Sequence, residues 1–202
     1  MGVPDRPDPD ARGEADPGQL RRRRVGAGAG RSRPEPGEPR RLLQAAARMT
    51  SPEERLAELG LAVPDVAKPV AVYVPAVVSG DLVFTSGQLP MRDGELMVTG
   101  KVGGEVSPEE AALCAQQCAL NAIAAVKSMV GDLDRVAQVV KVVAFVASTP
   151  DFTGQPQVAN GASELFGKVF GDRGAHARSA VGVPVLPLDA PVEVEIVVRV
   201  AS

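Results

Sequence analysis

From Val192 to Val200 the residues alternate. Val192, Val194, Ile196, Val198 and Val200 fall on one side of an extended chain, and Glu193, Glu195, Val197 and Arg199 on the other. A period of two marks a strand with one face in a core. Ala177 to Val183 reads as another strand. Val139 to Val146 is apolar except for Lys141, which predicts a buried central strand that Pro150 closes. Upstream, Ala71 to Val74 and Ala76 to Val78 read as extended around Pro75, and Ser79-Gly80-Asp81 as a turn. Leu82 to Ser86 reads as a strand ended by Gly87. Arg92-Asp93-Gly94-Glu95 carries the Asp-Gly pair of a tight hairpin.

The helical signals are as local. Ser107-Pro108-Glu109-Glu110 is a capping box with proline at the first helical position, and the Ala-rich stretch behind it runs to Val130 with Gly131 as its stop. A second helix is predicted from Gln155 to Phe170, ended by Gly171. A short one is predicted from Ser51 to Leu59, with Ser51 as cap and Glu53 and Glu54 at the positive end. Pro64 and Pro69 make a linker. The order β-β-(β)-α-β-α-β-β predicts an α+β fold with two helices on one sheet face. The other face has no helix to cover it, so it meets water or another subunit, and its valines favour an oligomer.

Composition changes this picture at the N-terminus. Residues 1–48 hold fourteen of the 39 Gly and Pro residues, eleven of the 22 basic residues and seven of the 25 acidic ones. They contain no Lys, Ile or aromatic residue, and include Arg21-Arg22-Arg23-Arg24. Such a segment buries too little apolar area to offset chain entropy and reads as a disordered tail. A polyanion-binding or localisation role for the four arginines, and a true start at Met49, stay open beside that reading. Residues 49–69 form the short helix and linker, and 70–202 the folded domain. No apolar run reaches the ~18–20 residues that span a membrane, and there is no signal-peptide core. Cys114 and Cys118, at helical i, i+4 spacing, read as small buried hydrophobes with free thiols; with no export signal, this points to the cytoplasm.

The formal net charge is −3, made of a +4 tail and a −7 remainder. With 3% aromatics and no Trp, that remainder does not suit a nucleic-acid surface. There is no G-x-S-x-G elbow, no P-loop and no zinc or haem spacing, so no metal site is expected. One cluster carries chemistry. His176 and Arg178 share a face of a predicted strand, and Glu193 follows fifteen residues after Arg178 with Glu195 beside it. On adjacent strands Arg178 and Glu193 read either as a cross-strand ion pair, or as a carboxylate-binding arginine beside a general base.

Several blocks together resemble the RidA/YjgF family of enamine/imine deaminases, also called endoribonuclease L-PSP-like proteins. They are Thr85-Ser86-Gly87-Gln88-Leu89-Pro90, Gly131-Asp132-Leu133-Asp134-Arg135-Val136, Val143-Ala144-Phe145-Val146, Ala177-Arg178-Ser179-Ala180-Val181-Gly182-Val183, Leu186-Pro187 and Val192-Glu193-Val194-Glu195. The resemblance covers about residues 70–202. It implies a chorismate-mutase-like mixed sheet backed by two helices and assembled as a homotrimer with clefts between subunits. It implies cofactor-free hydrolysis of small imino or enamino acids such as 2-aminoacrylate to 2-keto acids and ammonia. The family's carboxylate-binding arginine falls on Arg178, its water-positioning acid on Glu193, its cleft hydroxyl on Tyr73, the only Tyr, and the Ser of its S-G-Q block on Ser86. Tyr73 as a sheet-edge packing residue and Ser86 as a turn-capping hydroxyl stand beside those roles. Ala180 and Ala177 stand where the family has Cys and commonly Pro, and the stretch from Leu89 to Glu105 is longer than in the better-characterised branch, so the chain resembles a divergent branch. A non-catalytic carboxylate-binding trimer, an endoribonuclease (disfavoured by charge) and a chaperone-like trimer are the rival expectations.

Overall fold

The computed structural model describes residues 50–66 and 73–201. The tail expected over 1–48, and residues 71 and 72 of the first extended stretch, lie outside the described residues. Tyr73 and Val74 belong to no regular element.

Helix α1 (Pro52–Glu58) is opened by a complete capping box between Ser51 and Glu54. It buries Leu56 and is tied down by Glu53, whose carboxylate meets Lys127 Nζ at 3.2 Å, and by Arg55, which donates to the Val169 carbonyl. Strands β1 (Ala76–Ser79) and β2 (Leu82–Thr85) form a hairpin. Two-residue strands β3 (Met91–Arg92) and β4 (Glu95–Leu96) flank Asp93 and Gly94, both at positive φ, as the Asp-Gly pair predicts. Helix α2 (Pro108–Val130) starts on the Ser107/Glu110 capping box and ends on Gly131, at φ 78°. Strand β5 (Val136–Ala147), helix α3 (Gln155–Phe170), strand β6 (Ala177–Val183) and strand β7 (Val192–Val200) complete the chain.

The five-stranded sheet runs β1-β2-β7-β5-β6. Only β5 and β6 are parallel, because α3 carries the chain back between them. The fold is thus α+β with a mixed sheet, and both α2 and α3 pack on one face. Val83, Val142, Ala144, Val146, Val192, Val194, Ile196 and Val198 point into that layer, against Ala115, Ala119, Ala122 and Ile123 of α2 and Ala162, Leu165 and Phe166 of α3. Small residues let the two helices come close: a Cβ on Gly161 would overlap the Ala112 carbonyl.

Two expectations change. The run around Lys141 is not buried on both faces. Register shifts between Val136 and Gln138 and between Val139 and Lys141 keep Val136, Val139 and Val142 in the core. The same shifts leave Val140 exposed and set Lys141 on the open face, where its amine donates to Ser179 Oγ at 2.8 Å. Strands β6 and β7 are not neighbours either, because β5 lies between them. An ion pair between adjacent strands is therefore not what joins Arg178 and Glu193.

Candidate functional site

Glu193 is paired across the sheet with Phe145 and points to the open face, as the alternation of β7 requires. Its carboxylate rests against Gly87, where a Cβ would overlap it. The Gly87 backbone is held there from two sides. Gln88 exchanges backbone hydrogen bonds with Val194 at 2.8 and 3.0 Å, and its side-chain amide donates to the Ser86 carbonyl. Farther along, Asn121 of α2 donates to the carbonyls of Leu89 and Met91 at 2.9 and 3.0 Å. Buried Gln117 links Asn121 to Arg92 in the same network. Burial raises the pKa of Glu193 above the usual carboxylate range, and the like charge of Glu195 adds to the rise. A carboxyl of raised proton affinity is suited to accept a proton from water.

Arg178 sits on edge strand β6 opposite Val142, so it faces the helix layer. Its guanidinium lies along α3. Nη1 donates to Asn160 Oδ1 at 2.9 Å and to Ser163 Oγ at 3.0 Å, and Nη2 donates to the Pro156 carbonyl at 3.2 Å. His176 precedes the strand and reaches the same serine, its Nε2 lying 2.9 Å from Ser163 Oγ. His176 and Arg178 therefore share a side, as their spacing predicts. Arg178 and Glu193 do not: within one chain they lie on opposite faces of the sheet, with β5 between their strands.

Tyr73 is 57% exposed. Ser86 donates its hydroxyl to the Val74 carbonyl at 2.7 Å, and its backbone N–H to Pro75. The serine thus ties the Tyr73 segment to the end of β2, while its lone pairs stay available to a donor. The open face carries exposed Val77 and Phe84 near these residues and exposed Val181 on the far edge strand. Cys114 and Cys118 are buried in α2, and burial pushes the Cys114 thiol up to about 11 and Cys118 well above its usual range. They hold no thiolate at neutral pH. Among the described residues no three His, Cys, Asp or Glu side chains are placed to hold a metal ion, and no helix is long and apolar enough to cross a membrane.

Sequence reasoning did not single out Gly87 as the wall of a carboxylate pocket, nor Asn160 and Ser163 as partners of Arg178. Gly87 stood inside a recognised block but read as a strand end. Asn160 and Ser163 lie one helical turn apart on α3, and nothing local says that β6 will pack over them.

A family model described as "YjgF/chorismate mutase-like, putative endoribonuclease" matches residues 53–200. Protein TCP17 of Trypanosoma cruzi is 46% identical over 145 residues, which cover 71% of this chain and 91% of that protein. The 2-iminobutanoate/2-iminopropanoate deaminase of Dermatophagoides farinae is 35% identical over 133 residues, 65% of this chain and 88% of that protein. Among solved structures, the Agrobacterium tumefaciens protein Atu1372, of unknown function, is 45% identical with a TM-score of 0.71, covering 75% of this chain and 94% of that one.

Proposed function

The chain belongs to the YjgF/chorismate mutase-like family, and from that premise we propose that it hydrolyses small enamino or imino acids to 2-keto acids and ammonia in a cleft between subunits of a homotrimer. The observation that carries the proposal is the Glu193 carboxyl, half-buried against Gly87 with its proton affinity raised. The 35% identity to an imine deaminase supports the reaction class. The opposite facing of Arg178 and Glu193, and the apolar residues of the open sheet face, support a site built from two copies.

In this reading Arg178 neutralises and orients the substrate carboxylate as a planar donor fork. Glu193 orients a water and takes its proton while the oxygen adds to the imine carbon. The C=N electron pair moves to nitrogen, which is protonated. Collapse of the resulting carbinolamine forms the keto group and expels ammonia. Tyr73, or a backbone N–H beside it, stabilises the developing tetrahedral amine, and Ser86 holds the Tyr73 segment in reach. No metal or cofactor enters these steps.

The test generates 2-aminoacrylate with a dehydratase and traps the imine that remains. The wild-type protein should accelerate imine loss, and Arg178→Ala and Glu193→Gln should not. No acceleration by wild type, or equal acceleration by Arg178→Ala, overturns the reading. One observation favours a second reading, capture without turnover: Arg178 is fully positioned within one chain and does not need Glu193 to hold a carboxylate. Keto-acid binding that depends on Arg178, without catalysis, would select it. Endoribonuclease activity is disfavoured by the −7 charge of residues 49–202. Cleavage of RNA that survives both substitutions would reopen it.

A further inference from the structure

Arg178 presents five N–H donors. Among the described residues, three are taken by α3: both hydrogens of Nη1 by Asn160 and Ser163, and one of Nη2 by Pro156. The acceptors follow one another along a single stripe of the helix, at positions 156, 160 and 163. That order suits Pro156 and Asn160 on the Nη1–Nη2 edge, with Ser163 on the outer hydrogen of Nη1. The hydrogens left over are Nε–H and the second of Nη2. These make up the side-on edge, which grips a carboxylate with two parallel bonds.

Ser163 does more than accept. His176 Nδ1 lies 2.6 Å from the Gly174 carbonyl, which can only accept, so Nδ1 carries the proton. In the neutral ring Nε2 is then an acceptor, and the Ser163 hydroxyl donates to it. The result is a directed chain: Arg178 Nη1–H to Ser163 Oγ, Ser163 Oγ–H to His176 Nε2, His176 Nδ1–H to Gly174. Each link polarises the next. The far end is fixed. Gly174 is buried where a Cβ would overlap the Phe166 carbonyl, and the His176 ring stands edge-on to Phe166 with centroids 5.9 Å apart. Ser163 thereby links the His176 ring to the Arg178 guanidinium.

We propose that Ser163, oriented by His176, is a positioning residue that turns the side-on edge of Arg178 toward the substrate carboxylate. The proposal rests on the reading that Arg178 binds that carboxylate. It goes beyond it in assigning the α3 serine and the histidine a share in carboxylate affinity, without contact to the reacting atoms.

The experiment uses the full chain and measures binding of 2-oxobutanoate, the keto acid that hydrolysis of 2-iminobutanoate yields, with its methyl ester as the uncharged control. Thermal midpoints are recorded for each variant. Ser163→Ala should weaken 2-oxobutanoate binding on the order of tenfold, as loss of a hydrogen bond to a charged group does, and leave ester binding unmoved. Ser163→Thr, which keeps the hydroxyl, should restore it, and His176→Phe should weaken it less than Ser163→Ala. In the imine-loss assay Ser163→Ala should raise KM with little change in kcat. If Arg178→Ala binds 2-oxobutanoate as wild type does, the underlying carboxylate reading fails. If Arg178→Ala abolishes binding while Ser163→Ala binds like wild type, that reading stands and the role of Ser163 is wrong. Equal weakening toward acid and ester would also overturn it, because a general loosening of the site does not distinguish them.

Discussion

Replacing Gly87 with alanine separates the position of the Glu193 carboxyl from the stability of the fold. The three atoms nearest to an added Cβ are Oε1, Cδ and Cγ of Glu193, and all would lie closer than real Cβ contacts allow. The carboxylate would have to retreat by more than about 1 Å, and a misplacement of that size costs on the order of 10²-fold in rate where a group must meet a reacting atom. Complete removal of a general base costs roughly 10²–10⁴-fold. The atoms that yield are the end of a flexible side chain. Restricting the unfolded chain at a glycine of ordinary φ returns about 0.4–1 kcal/mol. Gly87→Ala should therefore keep or slightly raise the thermal midpoint while kcat in the imine-loss assay falls by about two orders of magnitude. Because both substitutions act through one carboxylate, Gly87→Ala combined with Glu193→Gln should be no slower than Glu193→Gln alone. Wild-type turnover by Gly87→Ala, or a loss of activity that merely follows a collapse of stability, would refute the reasoning.

Two further predictions concern the scaffold and pH. Gly161 and Gly167 both lie on α3, but a Cβ at Gly161 meets the Ala112 carbonyl, a backbone atom that cannot turn aside, whereas Gly167 has open space. Gly161→Ala should destabilise, since overpacking costs about 1–3 kcal/mol against a helix-propensity gain of about 1 kcal/mol. Gly167→Ala should stabilise by up to about 1 kcal/mol, or roughly 2–4 °C in thermal midpoint; shifts of the same sign in both would refute the close helix approach. Glu193 has a raised folded-state pKa, so its stabilising contribution is present below the ordinary carboxylate range and is lost as pH rises through the folded value. Glu193→Gln should accordingly gain stability relative to wild type as chemical denaturation is repeated from pH 4 to pH 8, and a gap that is flat or shrinks over that window would show that the carboxyl is not desolvated.

The elements were legible because their signals are local. Two capping boxes, an Asp-Gly pair and Gly131 each satisfy or release backbone groups within a few residues, so α1, α2 and the β3–β4 hairpin follow from short stretches of chain. The strict alternation of β7 likewise announced which side Glu193 would take. The run around Lys141 misled for a physical reason: bulges shift the side-chain period, and a bulge answers to the partner strand rather than to local sequence.

By itself, then, the sequence determined the α+β class, the places of the helices, the bounds of β6 and β7, the family, and the residue types at which its chemistry is to be sought. Only the tertiary structure decided who meets whom. It placed β5 between β6 and β7, set Arg178 and Glu193 on opposite faces, laid Arg178 along Asn160 and Ser163, and put the backbone of Gly87 behind the Glu193 carboxyl. Strand order and helix docking minimise the exposed apolar area of the whole chain, a sum over distant residues that no window of sequence contains.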